Sequence, residues 1–177
     1  MRWRFNPIAV AAVVAVLTVA GCAQTVSGSA QRAHPGVPDP DRSYGYVDDR
    51  CGLLVDDSVR ETVGAETVLR PYSGAVCQYV LLRGDQNIDV TFSWFQSGDL
   101  DRERALASER GATVTDTVVE RHDAFTARRD TTGAACSATA AAGSGVLSWW
   151  LQYRGKSDGE PCADAEKLLS ATLRSDL

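Results

Sequence analysis

The stretch Ala75-Val-Cys-Gln-Tyr-Val-Leu-Leu-Arg83, Gly84-Asp85-Gln86, Ile88-Asp-Val-Thr-Phe-Ser-Trp94 decides the fold. Its first run is apolar and partly β-branched, its centre carries turn residues, and its last run alternates strictly between apolar and polar. That pattern predicts a β-hairpin. At a period of two, Ile88, Val90, Phe92 and Trp94 share one face while Asp89, Thr91 and Ser93 share the other, so the first set is expected to line a core.

Upstream, Asp56 is placed to cap a short helix through about Val63, with Gly64 ending it. Downstream, Asp99 opens a charged helix over Leu100 to Arg110, stopped by Gly111, with Leu100, Leu106 and Ala107 partly inward. Strands are expected over Ala112 to Glu120 and Ala124 to Arg129. A clearer hairpin follows over Ala134 to Ala142 and Val146 to Arg154, around Gly143-Ser144-Gly145. Pro161 suits the first turn of a last helix, whose face is Ala165, Leu168, Leu169, Thr172 and Leu173. The order α-β-β-α-β-β-β-β-α predicts an α+β fold, an antiparallel sheet with helices packed on one side.

The chain has 177 residues, 44% of them hydrophobic, a formal charge of −5 and five cysteines. These values fit one folded domain and exclude a disordered or fibrous chain. Residues 1–21 read as a secretory signal: Arg2 and Arg4, then thirteen mostly apolar residues from Ile8 to Ala20, then Gly21-Cys22. As a helix those thirteen residues span about 20 Å, against roughly 30 Å of bilayer hydrocarbon. A permanent span is therefore not expected.

The junction Val19-Ala20-Gly21-Cys22 resembles the lipobox of bacterial lipoproteins, in which the cysteine sulfur receives diacylglycerol and the signal is cut before it. The competing reading is a secreted protein in which Cys22 is an unpaired thiol. Acylation of Cys22, with chains such as palmitate, would anchor the protein to the outer side of the cell membrane. Removing residues 1–21 takes the charge from −5 to −7, because they hold two arginines and no acids. So acidic a chain is repelled by phosphates, which disfavours nucleic acid as a partner. Residues 22–46, rich in Ser, Gly and Ala and then in Pro35, Pro38 and Pro40, read as a tether, and 47–177 as the single domain. Tyr44 and Tyr46 either dock the end of the tether or play no part.

Setting Cys22 aside leaves Cys51, Cys77, Cys136 and Cys162, which allow three pairings. The intervals 51 to 77 and 136 to 162 are equal, at 26 residues, and each begins or ends beside a predicted element. Cys51–Cys77 and Cys136–Cys162 are therefore the expected structural disulfides. There is no CxxC, and the cysteines lack the clustering of a zinc site.

Cys51-Gly-Leu-Leu before a short helix, Cys77-Gln-Tyr79, Cys136 entering a strand, and a terminal Pro161-Cys162 helix ending in Leu173 together resemble an actinobacterial, mycobacterial-type lipoprotein family defined by a domain of unknown function. The resemblance covers about residues 46 to 177. It implies an α+β fold like the PsbP-type sandwich of some mycobacterial lipoproteins, and it implies no activity.

Candidate chemistry is sparse. His122 is the one histidine outside the tether, where His34 lies. Its neighbour Asp123 points to the opposite face of a strand, and there is no GxSxG elbow, so His122 is expected as an exposed turn residue. Asp48-Asp49, Asp56-Asp57 and Asp99 with Asp101 lack a calcium-loop pattern and read as caps and solubilising charge, so no metal and no cofactor is expected. Arg121, Arg128 and Arg129 read as a solvated strand edge or a site for an anionic partner. The aromatics leave the most room for function. Trp149 and Trp150, like Trp94 and Phe95, are strand neighbours that cannot share a face, so one of each pair packs under a helix, lines a cleft or lies exposed. Trp94, Phe95, Trp149 and Trp150 are thus the candidate surface for a ligand or partner.

The expected function is a non-enzymatic binding or scaffolding lipoprotein of the cell envelope, presenting a partly aromatic surface to a lipid or a protein partner. An envelope enzyme acting on glycan or lipid, and a purely structural interaction protein, are the alternatives. An open cavity lined by Trp94 or Trp149 would favour a ligand carrier, two close carboxylates in a cleft an enzyme, and a filled core a protein-interaction module.

Overall fold

The computed structural model describes residues 37–155 and 159–175. The signal segment, Cys22, His34 and the tether up to residue 36 lie outside the described residues. Seven strands form one fully antiparallel sheet: β1 Thr67–Tyr72, β2 Val76–Arg83, β3 Gln86–Phe95, β4 Thr113–Val119, β5 His122–Arg128, β6 Ala135–Ala142 and β7 Gly145–Tyr153, in the order β1-β2-β3-β7-β6-β5-β4. Among the described residues three helices accompany it, α1 Asp56–Val63, α2 Leu100–Glu109 and α3 Pro161–Arg174.

The deciding hairpin is β2–β3, paired from Val76↔Ser93 to Arg83↔Gln86. Ile88, Val90 and Phe92 are fully or almost fully buried in the main core with Leu147, Trp149, Leu151 and Tyr153 of β7. α3 lies over β6 and β7 with Ala165, Leu168, Leu169, Thr172 and Leu173 buried, the face its periodicity indicates. It can approach closely because, beside the disulfide-bonded Cys136, β6 offers only Ala138, Ala140 and Ala142 on that side, a run whose low strand propensity is overridden by burial. α1 packs beside α3 and β1 through Val59 and Val63, so α1 and α3 share one face of the sheet. α2 adds a smaller layer on the other face, where Leu100 meets Phe125, Ala127, Ala141 and Val146. That layer covers only part of the face, and the side around β2 and β3 carries no helix.

Both disulfides pair as expected. Cys51–Cys77 ties the segment before α1 to β2, and Cys136–Cys162 ties β6 to the first turn of α3, with Cα separations of 6.2 and 5.0 Å.

Several details differ from the sequence expectation. β1 lies outside the expected elements: its Pro71 is tolerated because the strand is at an edge, and the β1–β2 register shifts between Leu69 and Tyr72. Asp56 does not cap α1. Val55 takes the cap position, and Asp56, the first helical residue, instead lies 3.2 Å from Arg70 Nε. The segment from Val37 to Tyr46, assigned by composition to the tether, packs on the domain as a strap. Tyr44 is fully buried with its hydroxyl bonded to Asp39, the Gly143 amide donates to Asp39 at 3.2 Å, and Arg42 donates to the Ser175 carbonyl. Gly143 makes this possible: its φ is +54°, and a Cβ there would stand 2.1 Å from the Arg42 carbonyl oxygen.

Candidate functional site

The four candidate aromatic residues do not converge. Trp149 is fully buried, and its indole N–H donates to Thr172 Oγ1 at 2.9 Å, which removes it from any surface. Trp94 is partly buried on the same side, edge-on to Tyr44 at 6.4 Å and covered by the strap at Gly45. Phe95 and Trp150 take the other face, as strand alternation requires. Phe95 is 49% exposed opposite Val146, whereas Trp150 lies four positions further along β7, between Thr91 and Ser137. No described cavity is lined by Trp94 or Trp149.

His122 corrects its expectation most clearly. The two turn residues are Glu120 and Arg121, at φ +48° and +68°, so His122 falls on the first position of β5 and turns inward, 4% exposed. Its Nδ1 is 2.8 Å from the Ala141 carbonyl and its Nε2 is 3.8 Å from Asp39 of the strap. The ring is a joint between strand and strap.

Among the carboxylates, Asp99 caps α2 by accepting from the Arg102 amide at 2.9 Å, in line with the capping expectation. Among the described residues no group of three or more His, Cys, Asp or Glu is placed to hold a metal ion. Asp164 is the most buried acid. It accepts from Tyr153, from Arg83 at 2.8 Å and from Lys167 at 2.8 Å. Burial alone would raise its pKa, but those hydrogen bonds and the Arg83 charge outweigh it and hold the group below its ordinary value. The cluster joins α3 to β2 and β7, which is a structural task.

The feature with free hydrogen-bonding capacity is the β4 edge. β4 pairs with β5 alone, from Thr113↔Arg128 to the tight turn closed by Val119↔His122. The closing pair of such a two-residue turn is hydrogen-bonded, so by alternation the amides and carbonyls of Val114, Asp116 and Val118 point away from the sheet. Each face of this edge is flanked by a groove. On the α3 side, a groove of about 610 Å³ runs between Thr117 and Val119 and the helix residues Glu166, Lys167, Ser170 and Arg174. On the α2 side, a groove of about 420 Å³ lies between Asp116 and Val118 and the residues Asp101, Arg104 and Asp123. A strand added to β4 would send alternate side chains into the two grooves. Val118, 65% exposed, stands at the rim of both. Sequence reasoning missed this site. The signal present, Thr-Val-Thr-Asp-Thr-Val-Val with no proline, glycine or lysine, becomes informative only when the topology puts the strand at an edge.

Among the described residues no helix is long and apolar enough to cross a membrane. No curated protein matches the chain, and no solved structure does either. One family model does, covering residues 17–175 and so taking in the described fold together with much of the segment before it: the chain belongs to the family described as "Protein of unknown function (DUF3558)".

Proposed function

We propose that this chain is a lipid-anchored, non-enzymatic protein-interaction module of the cell envelope, which offers the β4 edge to an extended segment of a partner protein. One observation carries the partner class: β4 is an open, seven-residue edge with a groove on each face. Main-chain hydrogen bonds to Val114, Asp116 and Val118 would supply affinity, and the two grooves would read alternate side chains. Asp116 and Asp123 beside Arg104 favour a partner strand with basic side chains on the α2 side. Centred antiparallel pairing of two copies would set Asp116 opposite Asp116, so self-association is the weaker occupant.

The burial of Trp149, whose indole is bonded to Thr172, supports interaction over carriage of a lipid. The non-enzymatic part rests on His122, whose ring is buried against a backbone carbonyl and the strap. Anchorage rests on the sequence: the basic and apolar leader, Val19-Ala20-Gly21-Cys22, and the resemblance to actinobacterial lipoproteins. Two or three acyl chains on Cys22 would hold the domain on the extracytoplasmic face of the membrane, near membrane-bound partners at high effective concentration.

The test is a photocrosslinker at Val118 of the full chain in intact membranes, with Leu69 on the opposite edge as control. The expected product joins position 118 to a lysine- or arginine-bearing extended segment of another protein and is lost when Asp116→Pro is added. A product joining two copies of this chain, equal capture at Leu69, or no product overturns the edge reading. The intact mass of membrane-extracted chain tests the anchor: it should begin at an acylated Cys22, and an uncut or unmodified chain overturns that part.

A further inference from the structure

Beyond the β4 edge, the sheet face that carries α2 holds a smaller cavity at that helix's C-terminal end. Its volume is about 340 Å³, and its lining is Trp150 and Gln152 of β7, Thr131 and Thr132 of the β5–β6 loop, and the side chains of Arg110 and Arg129. From this site we infer that the protein binds an anionic saccharide, with the sugar ring against Trp150 and its carboxylate or phosphate between Arg110 and Arg129.

The charge pattern carries the argument. The domain is acidic, and its arginines near this face are mostly committed: Arg154 holds Asp89 through two contacts of 2.5 and 2.7 Å, and Arg128 holds Asp130 at 2.8 Å. Those pairs neutralise the neighbouring carboxylates. Among the described residues the guanidinium groups of Arg110 and Arg129 have no protein partner, and neither does the indole N–H of Trp150. Two uncommitted cations beside an aromatic ring form a local positive site in an acidic protein, suited to the bidentate recognition of a carboxylate or phosphate.

The walls are preformed. Gln152 Nε2 donates to the Thr132 carbonyl at 3.1 Å and to its hydroxyl at 2.8 Å, while the Tyr153 amide donates to Ala134 at 2.9 Å. Gly133, at φ +124°, lets the loop lie so close that a Cβ would stand 2.5 Å from the Tyr153 carbonyl oxygen. Thr91 and Ser137 flank Trp150 across the sheet, and with Thr131 they set hydroxyl groups around the indole. Aromatic face, hydroxyls and paired cations together match a ring that is apolar on one side, hydroxylated at its rim and negatively charged at one end. A volume near the lower end of small-molecule sites, roughly 300–1,000 Å³, admits one such ring.

Calorimetric titration of the full chain in detergent tests this with four probes: glucuronate, glucose 1-phosphate, neutral glucose and inorganic phosphate. The two anionic sugars should bind saturably, and more weakly as salt is raised. Arg110→Gln and Arg129→Gln should each weaken them about tenfold or more. Both arginines are exposed and hold no fold contact, so these variants should melt as the parent does. Trp150→Ala should weaken the sugars while leaving phosphate unchanged, and Trp150→Phe should restore part of the loss. Glucose binding as well as glucuronate overturns the anion requirement, and phosphate binding as tightly as glucose 1-phosphate overturns ring recognition. No saturable binding by either anionic sugar at millimolar ligand overturns the whole inference, and none of these outcomes bears on the β4 edge.

Discussion

The two edges of the sheet are built on opposite principles. β1 is six residues long, contains Pro71, shifts register between Leu69 and Tyr72, and places Arg70 where it bridges Asp49 and Asp56. Proline, irregularity and charge are the devices by which natural sheets discourage pairing with another chain. β4 has neither the proline nor the irregularity. It runs seven residues in regular register, six of its residues are valine or threonine, and its single charge, Asp116, is held by Arg104 at 2.7 Å. The contrast indicates that an open edge on this fold is readily blunted, and that one edge was left open.

Several experiments would break or sharpen that contrast. The largest effect should come from the disulfides, one serving each half of the sheet. A 26-residue loop corresponds to about 3.5 kcal/mol in the chain-entropy treatment. Cys51→Ala with Cys77→Ala should cost about that much and loosen the β1 side, while Cys136→Ala with Cys162→Ala should cost the same and loosen the β4 side. Denaturant unfolding gives the totals, and amide hydrogen exchange shows which edge opens.

Asp164→Asn comes next, at about 2 kcal/mol, because Arg83 loses its buried counter-charge and the amide nitrogen that replaces one oxygen cannot accept from Lys167. Its neighbours hold the carboxyl below the ordinary aspartate value of 3.8, so its contribution is fully present above about pH 4 and is lost as pH falls through the folded-state value. Melting curves between neutral pH and pH 2 should therefore show the variant losing less stability on acidification than the parent.

Arg121→Gly should act in the opposite direction. Arg121 is exposed at φ +68° in the β4–β5 turn, where glycine removes the steric penalty, and a gain of about 0.5–1 kcal/mol is expected in the same unfolding assay. A variant that firms this turn without changing crosslinking at Val118 would separate edge stability from edge recognition. Val118→Lys should have the smallest effect on stability, within about 0.5 kcal/mol, yet should abolish pairing at the β4 edge. If lysine there leaves partner capture by a crosslinker at position 116 intact, the two edges do not differ in the way their sequences indicate.

Much of the fold was legible wherever one face of an element is buried and the other wet. Ile88, Val90 and Phe92 on β3 and the five-residue face of α3 follow their periods, and the equal cysteine spacing matches the observed pairs. Legibility failed where position in the assembly, not local pattern, sets the outcome. Alternation requires Trp149 and Trp150 to part, but which of them enters the core depends on β7 lying between β3 and β6. His122 is polar and turn-adjacent, and its burial depends on Asp39 and Ala141, both distant in sequence. Arg110 and Arg129 are far apart along the chain, so a site containing both exists only once α2 crosses the sheet.

The strap has a consequence for how the molecule comes into being. Arg42 bonds the Ser175 carbonyl across 133 positions of sequence, and Asp39 bonds the Gly143 turn across 104. Contacts of such separation form late, because a long loop must close before they contribute. The first part of this domain to leave the ribosome is thus among the last to settle, waiting for the final turn of α3. Loss of a few C-terminal residues would then be felt at the opposite end of the chain, as release of the strap from the fold it closes.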